Sequence, residues 1–142
     1  SHFLGWEISC LGRPACGEIF IQGELDQRFE VWRDGKPLRI ERLKLRGGDP
    51  ALQAKWGLLG FPVIGSMVCV TDKTELIDSL RTITNVAIGE EFFSVTQVDG
   101  AILCYFLGNS VERARNCFIS AWKILRQEVI GFEAVEPRIW KT

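Results

Sequence analysis

Gln27-Arg28-Phe29-Glu30-Val31-Trp32-Arg33-Asp34-Gly35-Lys36-Pro37-Leu38-Arg39-Ile40 is the stretch of this 142-residue chain from which its fold is read. Phe29 and Val31 before the central pair, and Leu38 and Ile40 after it, alternate with polar residues, the period of a strand with one face buried. Asp34-Gly35 is the pair that a two-residue type I′ turn favours, because both of its positions need positive φ. A hairpin over residues 27–45 follows. On the return strand the apolar phase moves from Leu38 and Ile40 to Leu43 and Leu45, which predicts a bulge or strong twist near Glu41 and Arg42. Upstream, Ile19 and Ile21 keep the same period and predict another half-buried strand.

Downstream, Arg46-Gly47-Gly48-Asp49-Pro50 is turn chemistry: glycines supply unusual backbone angles and proline stops strand pairing. Residues 60–70 are apolar and rich in β-branched side chains, as suits a strand buried on both faces. Asp72 then reads as the cap of a short helix to about residue 83, with Glu75 in its first turn and Leu76, Leu80 and Ile83 on one stripe. Residues 92–98 and 101–107, joined at Asp99-Gly100, read as a second hairpin. Asn109 or Ser110 caps the longest helix, whose Val111, Ala114, Phe118, Trp122, Leu125 and Val129 share a face and which Gly131 ends. The tail Pro137-Arg138-Ile139-Trp140-Lys141-Thr142 is read as non-helical, because proline disfavours helix in the residue before it. The class is mainly β with two α-helices, one short and one long.

Hydrophobic residues make up 46% and charged residues 25%, enough apolar material for one packed core, and no linker or repeat divides the chain. A single domain over residues 1–142 is expected. The formal net charge is −1, so the chain lacks the field that draws nucleic acid or an anionic membrane, and neither is expected as a partner. Residues 56–71 are nearly uncharged but too short to span a bilayer. The opening Ser1-His2-Phe3-Leu4-Gly5-Trp6 has no charged n-region and no small-residue cleavage site, so it reads as a cut end rather than a signal peptide. Cys69, Cys104 and Cys117 fall inside apolar patterns where a thiol acts as a small hydrophobe. With Cys10 and Cys16 they predict reduced thiols in a cytoplasmic protein.

Residues able to run a reaction are scarce. A single histidine, His2, removes most histidine-based catalysis and metal binding. Cys10 and Cys16 are spaced too widely for a short zinc knuckle, and the glycines form no phosphate-binding loop. Carboxylates remain: Glu18, Glu24, Asp26, Glu30, Glu41, Asp49, Glu90 and Glu91. Two of them could meet as an acid–base pair, but as a group they read as the solvated face of a half-buried sheet. Glu18 stands out because it follows the turn Gly12-Arg13-Pro14-Ala15-Cys16-Gly17, with Arg13 as its natural counter-ion. Of the five tryptophans, Trp122 belongs to the core by register. Trp140 beside Arg138 has the residue types of a binding hot spot, or of a tail that docks on its own fold.

Leu11-Gly12-Arg13-Pro14-Ala15-Cys16-Gly17-Glu18, then Trp32-Arg33-Asp34-Gly35-Lys36-Pro37-Leu38 and Glu41-Arg42-Leu43, resemble the urease accessory protein family UreD, also called UreH. Trp56-Gly57-Leu58, Leu107-Gly108-Asn109-Ser110, the helix with Trp122 and Leu125-Arg126, and the ending Pro137-Arg138-Ile139-Trp140 follow in that family's order. The resemblance covers only its C-terminal part, so the chain is expected to be the C-terminal half of a longer protein.

The resemblance implies a β-helical strand arrangement with two helices and no catalysis. It implies a scaffold for nickel insertion that binds the urease apoenzyme and the accessory protein UreF, and through UreF the GTPase UreG. Nickel would pass through an internal passage, with Arg13 and Glu18 lining or shaping it and no metal held tightly; hard carboxylate oxygens can pass the ion along without trapping it. Arg138, Ile139 and Trp140 would contact a partner or lock the C-terminus. The alternatives are a carboxylate-dependent hydrolase on a β-helical frame and a generic β protein-interaction domain.

Overall fold

A computed structural model describes residues 2–83 and 90–141. The Asp34-Gly35 hairpin forms as the sequence predicts, from β1 to β6 numbered in chain order: β1 (Phe3–Cys10), β2 (Glu24–Arg33), β3 (Lys36–Arg46), β4 (Val63–Val70), β5 (Phe92–Val98) and β6 (Ala101–Gly108). Asp34 and Gly35 take φ of 51° and 73°, the left-handed pair that the turn requires. Among the described residues, strands β2 and β3 pair only with each other, while the other four make an antiparallel sheet in the order β1-β4-β6-β5. Helix α1 (Leu76–Arg81) is short, and α2 (Val111–Leu125) is long and runs on into a π-helical turn, Arg126–Ile130. Gly131 ends it at φ 79°. Among the described residues the class is therefore mainly β with one short and one long helix.

Three layers result, helices on sheet on hairpin. Val63, Met67 and Cys69 of β4, with Ile102, Cys104 and Phe106 of β6, join the cluster that contains Ala114, Phe118, Trp122 and Leu125 of α2. Val68, Val70, Ala101 and Leu103 meet Val31, Phe29 and Leu38 of the hairpin instead. The central strands are covered on both faces, which is why residues 63–70 read as a continuous apolar run. Gly65 marks the closest approach: a Cβ there would stand 2.6 Å from the Phe118 ring. A third, smaller cluster of Leu11, Leu45 and Leu52 closes the far end of the hairpin.

Several local expectations are corrected. Ile19 and Ile21 lie in no strand and are 74% and 60% exposed. Ile21 N–H donates to Ile19 O at 3.0 Å, closing a tight turn about Phe20, which packs inward in their place. The hairpin is irregular at Leu38, not near Glu41 and Arg42: Val31 faces Arg39 and Trp32 faces Pro37, so Leu38 is the extra residue. Pro37 beside it has no N–H to give the ladder. Beyond that point Arg39, Glu41, Leu43 and Leu45 share the inner face and Ile40 points to solvent, 48% exposed.

Asp72 does not cap α1, which starts only after Glu75, without a side-chain cap. The tail after Pro137 does form one 3₁₀ turn, Arg138–Lys141, with Trp140 N–H bonded to Pro137 O. Val111 begins the long helix yet is 45% exposed. Ser110 is its cap, accepting from Arg113 N–H at 3.1 Å. Strand β1, which the sequence analysis does not predict, carries its own signal: Leu4, Trp6 and Ile8 alternate and pack on the helical core. Among the described residues no helix is long and apolar enough to cross a membrane.

Candidate functional site

Arg13 and Glu18 are brought together. The turn between them is one 3₁₀ turn, Pro14–Cys16, closed by Gly17 at φ 74°. Backbone bonds run both ways, Arg13 N–H to Glu18 O at 3.0 Å and Glu18 N–H to Arg13 O at 3.1 Å. Around this clip the guanidinium grips the carboxylate with two bonds, Nε to Oε2 at 2.6 Å and a second nitrogen to Oε1 at 2.7 Å. Gly12 is required here: at φ 75° an added Cβ would sit 2.7 Å from Glu18 O. The pair is exposed, so it orients the turn more than it stabilises it. Glu18 faces an open cleft of about 310 Å³ that it shares with Leu11, Phe20, Leu52 and Phe61.

A second cleft, about 160 Å³, lies between the sheet and the hairpin, where Glu7, Ser9, Gln27, Glu41 and Tyr105 share the lining with the apolar Leu43 and Ile64. It exists because Glu41 and Arg39 fall on the inner face of β3. Tyr105 O–H donates to Glu41 Oε1, and Arg39 donates to Glu41 at 2.7 Å and to the Tyr105 hydroxyl at 2.9 Å. Burial, and then the Glu41 carboxylate, push the Tyr105 hydroxyl up to about 12. From the sequence Glu41 reads as one of a solvated set, as a neighbour of the expected bulge and as part of the family-like block, and Tyr105 is not singled out; the phase that Arg39 and Glu41 share with Leu43 and Leu45 was the available signal.

Glu91 also departs from the solvated set. Its side chain is 2% exposed. Oε1 accepts from Asn109 N–H at 2.8 Å, Ser110 N–H at 3.2 Å and Arg113 at 3.0 Å. Oε2 lies 2.8 Å from Arg113 Nε as a charge contact without hydrogen-bond alignment. This carboxylate anchors the start of α2, a structural task.

The C-terminal residues lie against another part of the sheet. Trp140 packs on Trp6 and Trp122 with ring centres 5.4 and 5.3 Å away. Arg115 stacks 5.8 Å over it and donates to its carbonyl at 2.8 Å. Arg138 and Ile139 are exposed, Ile139 at 74%. Glu18 thus lines one cleft while Trp140 lines another with Trp6, Glu7, Ile8 and Arg115. Trp32 and Trp56 are exposed at 54% and 78%, outside the aromatic cluster. Among the described residues no three His, Cys, Asp or Glu side chains gather to hold a metal ion.

Comparison with known proteins gives these positions a context. Residues 1–141 match the profile described as UreD urease accessory protein. The chain belongs to the UreD family. UreD proteins of similar sequence include Urease accessory protein UreD 2 of Brucella anthropi, 41% identical over 99% of this chain and 51% of its own length. The UreD of a Nostoc species is 40% identical over 100% of this chain and 50% of its own length, and that of Alcanivorax borkumensis 38% identical over 100% and 48%. The chain therefore spans about half the length of the curated UreD relatives it matches. The Arg13–Glu18 clip, the inner-face Glu41 and the Trp140 anchor all fall within the UreD match.

Proposed function

We propose that this chain serves urease maturation as a holding surface without catalysis of its own. It binds the urease apoenzyme and the accessory protein UreF, and through UreF the GTPase UreG, in the cytoplasm. It corresponds to the C-terminal half of a full-length UreD protein, and nickel is cargo that it passes rather than a resident cofactor. The observation that carries this reading is the unbroken family match over residues 1–141.

Two features support the handling of nickel. The Arg13–Glu18 clip fixes a carboxylate in the lining of an open cleft, and the lining of the cleft between hairpin and sheet includes Glu7, Ser9, Gln27, Glu41 and Tyr105. Such hard ligands hold the ion through water and release it again, unlike thiolates. Cys69 and Cys104 are withdrawn from metal chemistry, since burial pushes their thiols up to about 11 and about 12.

The test is affinity purification of the chain, with its full-length counterpart alongside, from cells that express the urease subunits and accessory proteins. Urease and UreF are expected in the eluate, and urease activation is expected to fall with Glu18→Gln at unchanged melting temperature. Recovery of neither partner by either form of the protein would refute the scaffold reading, and full activation by Glu18→Gln would remove Glu18 from the nickel route.

A further inference from the structure

Two walls of fixed backbone bound the cleft that Glu18 lines. One is the segment Ile19–Ile21, whose tight turn tucks Phe20 inward and leaves both isoleucines on the rim. It is tied to the neighbouring corner: Gly48 N–H donates to Phe20 O at 3.1 Å, and a Cβ on Gly47 would stand 2.4 Å from the Gln22 nitrogen. The other wall is the loop over residues 50–62. There Leu58 N–H donates to Ala51 O at 3.0 Å, Gly60 N–H to Leu52 O at 2.7 Å and Leu11 N–H to Pro62 O at 2.8 Å. Leu59 holds a left-handed φ of 55° in that loop, a costly angle for a leucine, so the loop is held in place rather than relaxed. A cleft whose walls are already fastened loses little ordering entropy when it is filled.

The charge of the cleft is one-sided. Among the described residues that line it, Glu18 and Asp49 are acidic, and no lysine, arginine or histidine stands with them. Both Glu18 oxygens are held by Arg13, which lies outside the lining. Asp49 spends one oxygen on Ala51 N–H at 2.8 Å and, among the described residues, pairs with no cation. Gln53 and Asn109 add side-chain amides. The remaining lining is largely apolar, and it continues outward: Phe61 meets the half-exposed Phe92 with ring centres 6.0 Å apart.

Size and charge together select the occupant. A volume of about 310 Å³ is at the bottom of the roughly 300–1,000 Å³ of small-molecule sites, room for one long side chain. A free small molecule would leave the apolar rim bare, whereas a protein segment covers it. We propose that the cleft docks a partner protein through one long basic side chain, its aliphatic stem against Leu52 and Phe61 and its cationic head at Asp49, with an apolar neighbour on the Ile19–Ile21 rim. Charge complementarity carries the choice, since an apolar sleeve ending in an unpaired carboxylate matches the stem and head of arginine or lysine. The inference deepens the scaffold reading by naming what a partner presents, and rests on it for the partner's existence.

Titration of the ¹⁵N-labelled 142-residue chain with the peptide acetyl-Leu-Arg-Leu-amide, read by amide chemical shifts, tests it. Shifts are expected at Ile19–Ile21, Gly48, Asp49 and Phe61, with affinity at least about tenfold weaker when norleucine replaces the arginine and removes its charge-assisted bonds. Asp49→Asn keeps an oxygen for Ala51 N–H and is expected to weaken the arginine peptide at least about threefold at unchanged melting temperature. Should that variant lose stability, Ile21→Ser on the exposed rim decides, by weakening the same peptide. Equal affinity for the arginine and norleucine peptides would overturn the proposal, as would shifts confined to other residues or none at millimolar peptide. Arginine amide binding as tightly as the peptide would also overturn it, because the occupant would then be a free small cation. Such failures leave the scaffold reading standing, since recovery of urease and UreF tests that separately.

Discussion

Replacing Trp140 by alanine removes the ring that ties the C-terminus to the first strand and the long helix. The magnitude follows from its contacts. Two aromatic neighbours at 5.4 and 5.3 Å contribute about 0.5–1.5 kcal/mol each, and the Arg115 guanidinium at 5.8 Å about 0.5–1 kcal/mol. Because the ring is only half-buried, the total stays below the roughly 3–5 kcal/mol of a fully buried tryptophan; about 2–4 kcal/mol is expected. For a chain of this size that lowers the melting temperature by about 6–12 °C. Urea unfolding followed by circular dichroism measures the loss directly, with the slope unchanged if the unfolded state is unaffected. Cutting after Glu136 also removes the bond from Arg115 to the Trp140 carbonyl and is expected to cost at least as much. A loss below about 1 kcal/mol for Trp140→Ala would refute the reasoning and leave the tail free for partner contact. Binding of UreF by the cut chain then separates the two roles: binding lost at full stability assigns the tail to the partner, and joint loss assigns it to locking.

Glu91→Ala leaves two amides at the start of α2 without their acceptor, while the half-exposed Arg113 guanidinium rehydrates on loss of its partner, and is expected to cost about 2–4 kcal/mol by urea unfolding. The half-buried Tyr105 hydroxyl holds its proton more tightly in the folded chain than at its ordinary 10.0, so its stabilisation is whole below pH 10 and is lost as pH rises toward about 12. The urea midpoint of the wild type is therefore expected to fall further than that of Tyr105→Phe across that window, and parallel curves would contradict the assignment. Thiol titration of the native protein is expected to count two fast groups, the exposed Cys10 and Cys16, with Cys69, Cys104 and Cys117 reacting only on unfolding. Gly65→Ala drives a methyl into the Phe118 ring and is expected to destabilise by about 1–3 kcal/mol, which the same urea assay reads.

Both hairpins, the doubly buried strand and the long helix are legible because each is written in short-range terms. Asp34-Gly35 carries the turn geometry, the apolar run over Val63–Val70 carries burial, and Ser110 and Gly131 bracket the helix. Where neighbours decide, the reading fails. Ile19 and Ile21 have the alternation of a strand but no partner ladder, since that segment meets Gly47 and Gly48 through single bonds. Asp72 has the residue type of a cap, yet the chain spends Thr74 and Glu75 before the helix begins.

At the candidate site the same division holds. The turn Gly12-Arg13-Pro14-Ala15-Cys16-Gly17 announces a clip that pairs Arg13 with Glu18, because the whole device lies between Gly12 and Glu18 and its glycine angles are local. Nothing local announces the contact of Glu41 with Tyr105, residues 64 positions apart, or the meeting of Trp6 with Trp140. Sequence by itself determined the strand periods, the turns and the family, since these depend on neighbours along the chain. Which acids are buried and which tryptophans meet were decided only by the stacking of layers, a matter of distances across the fold that no short-range pattern encodes.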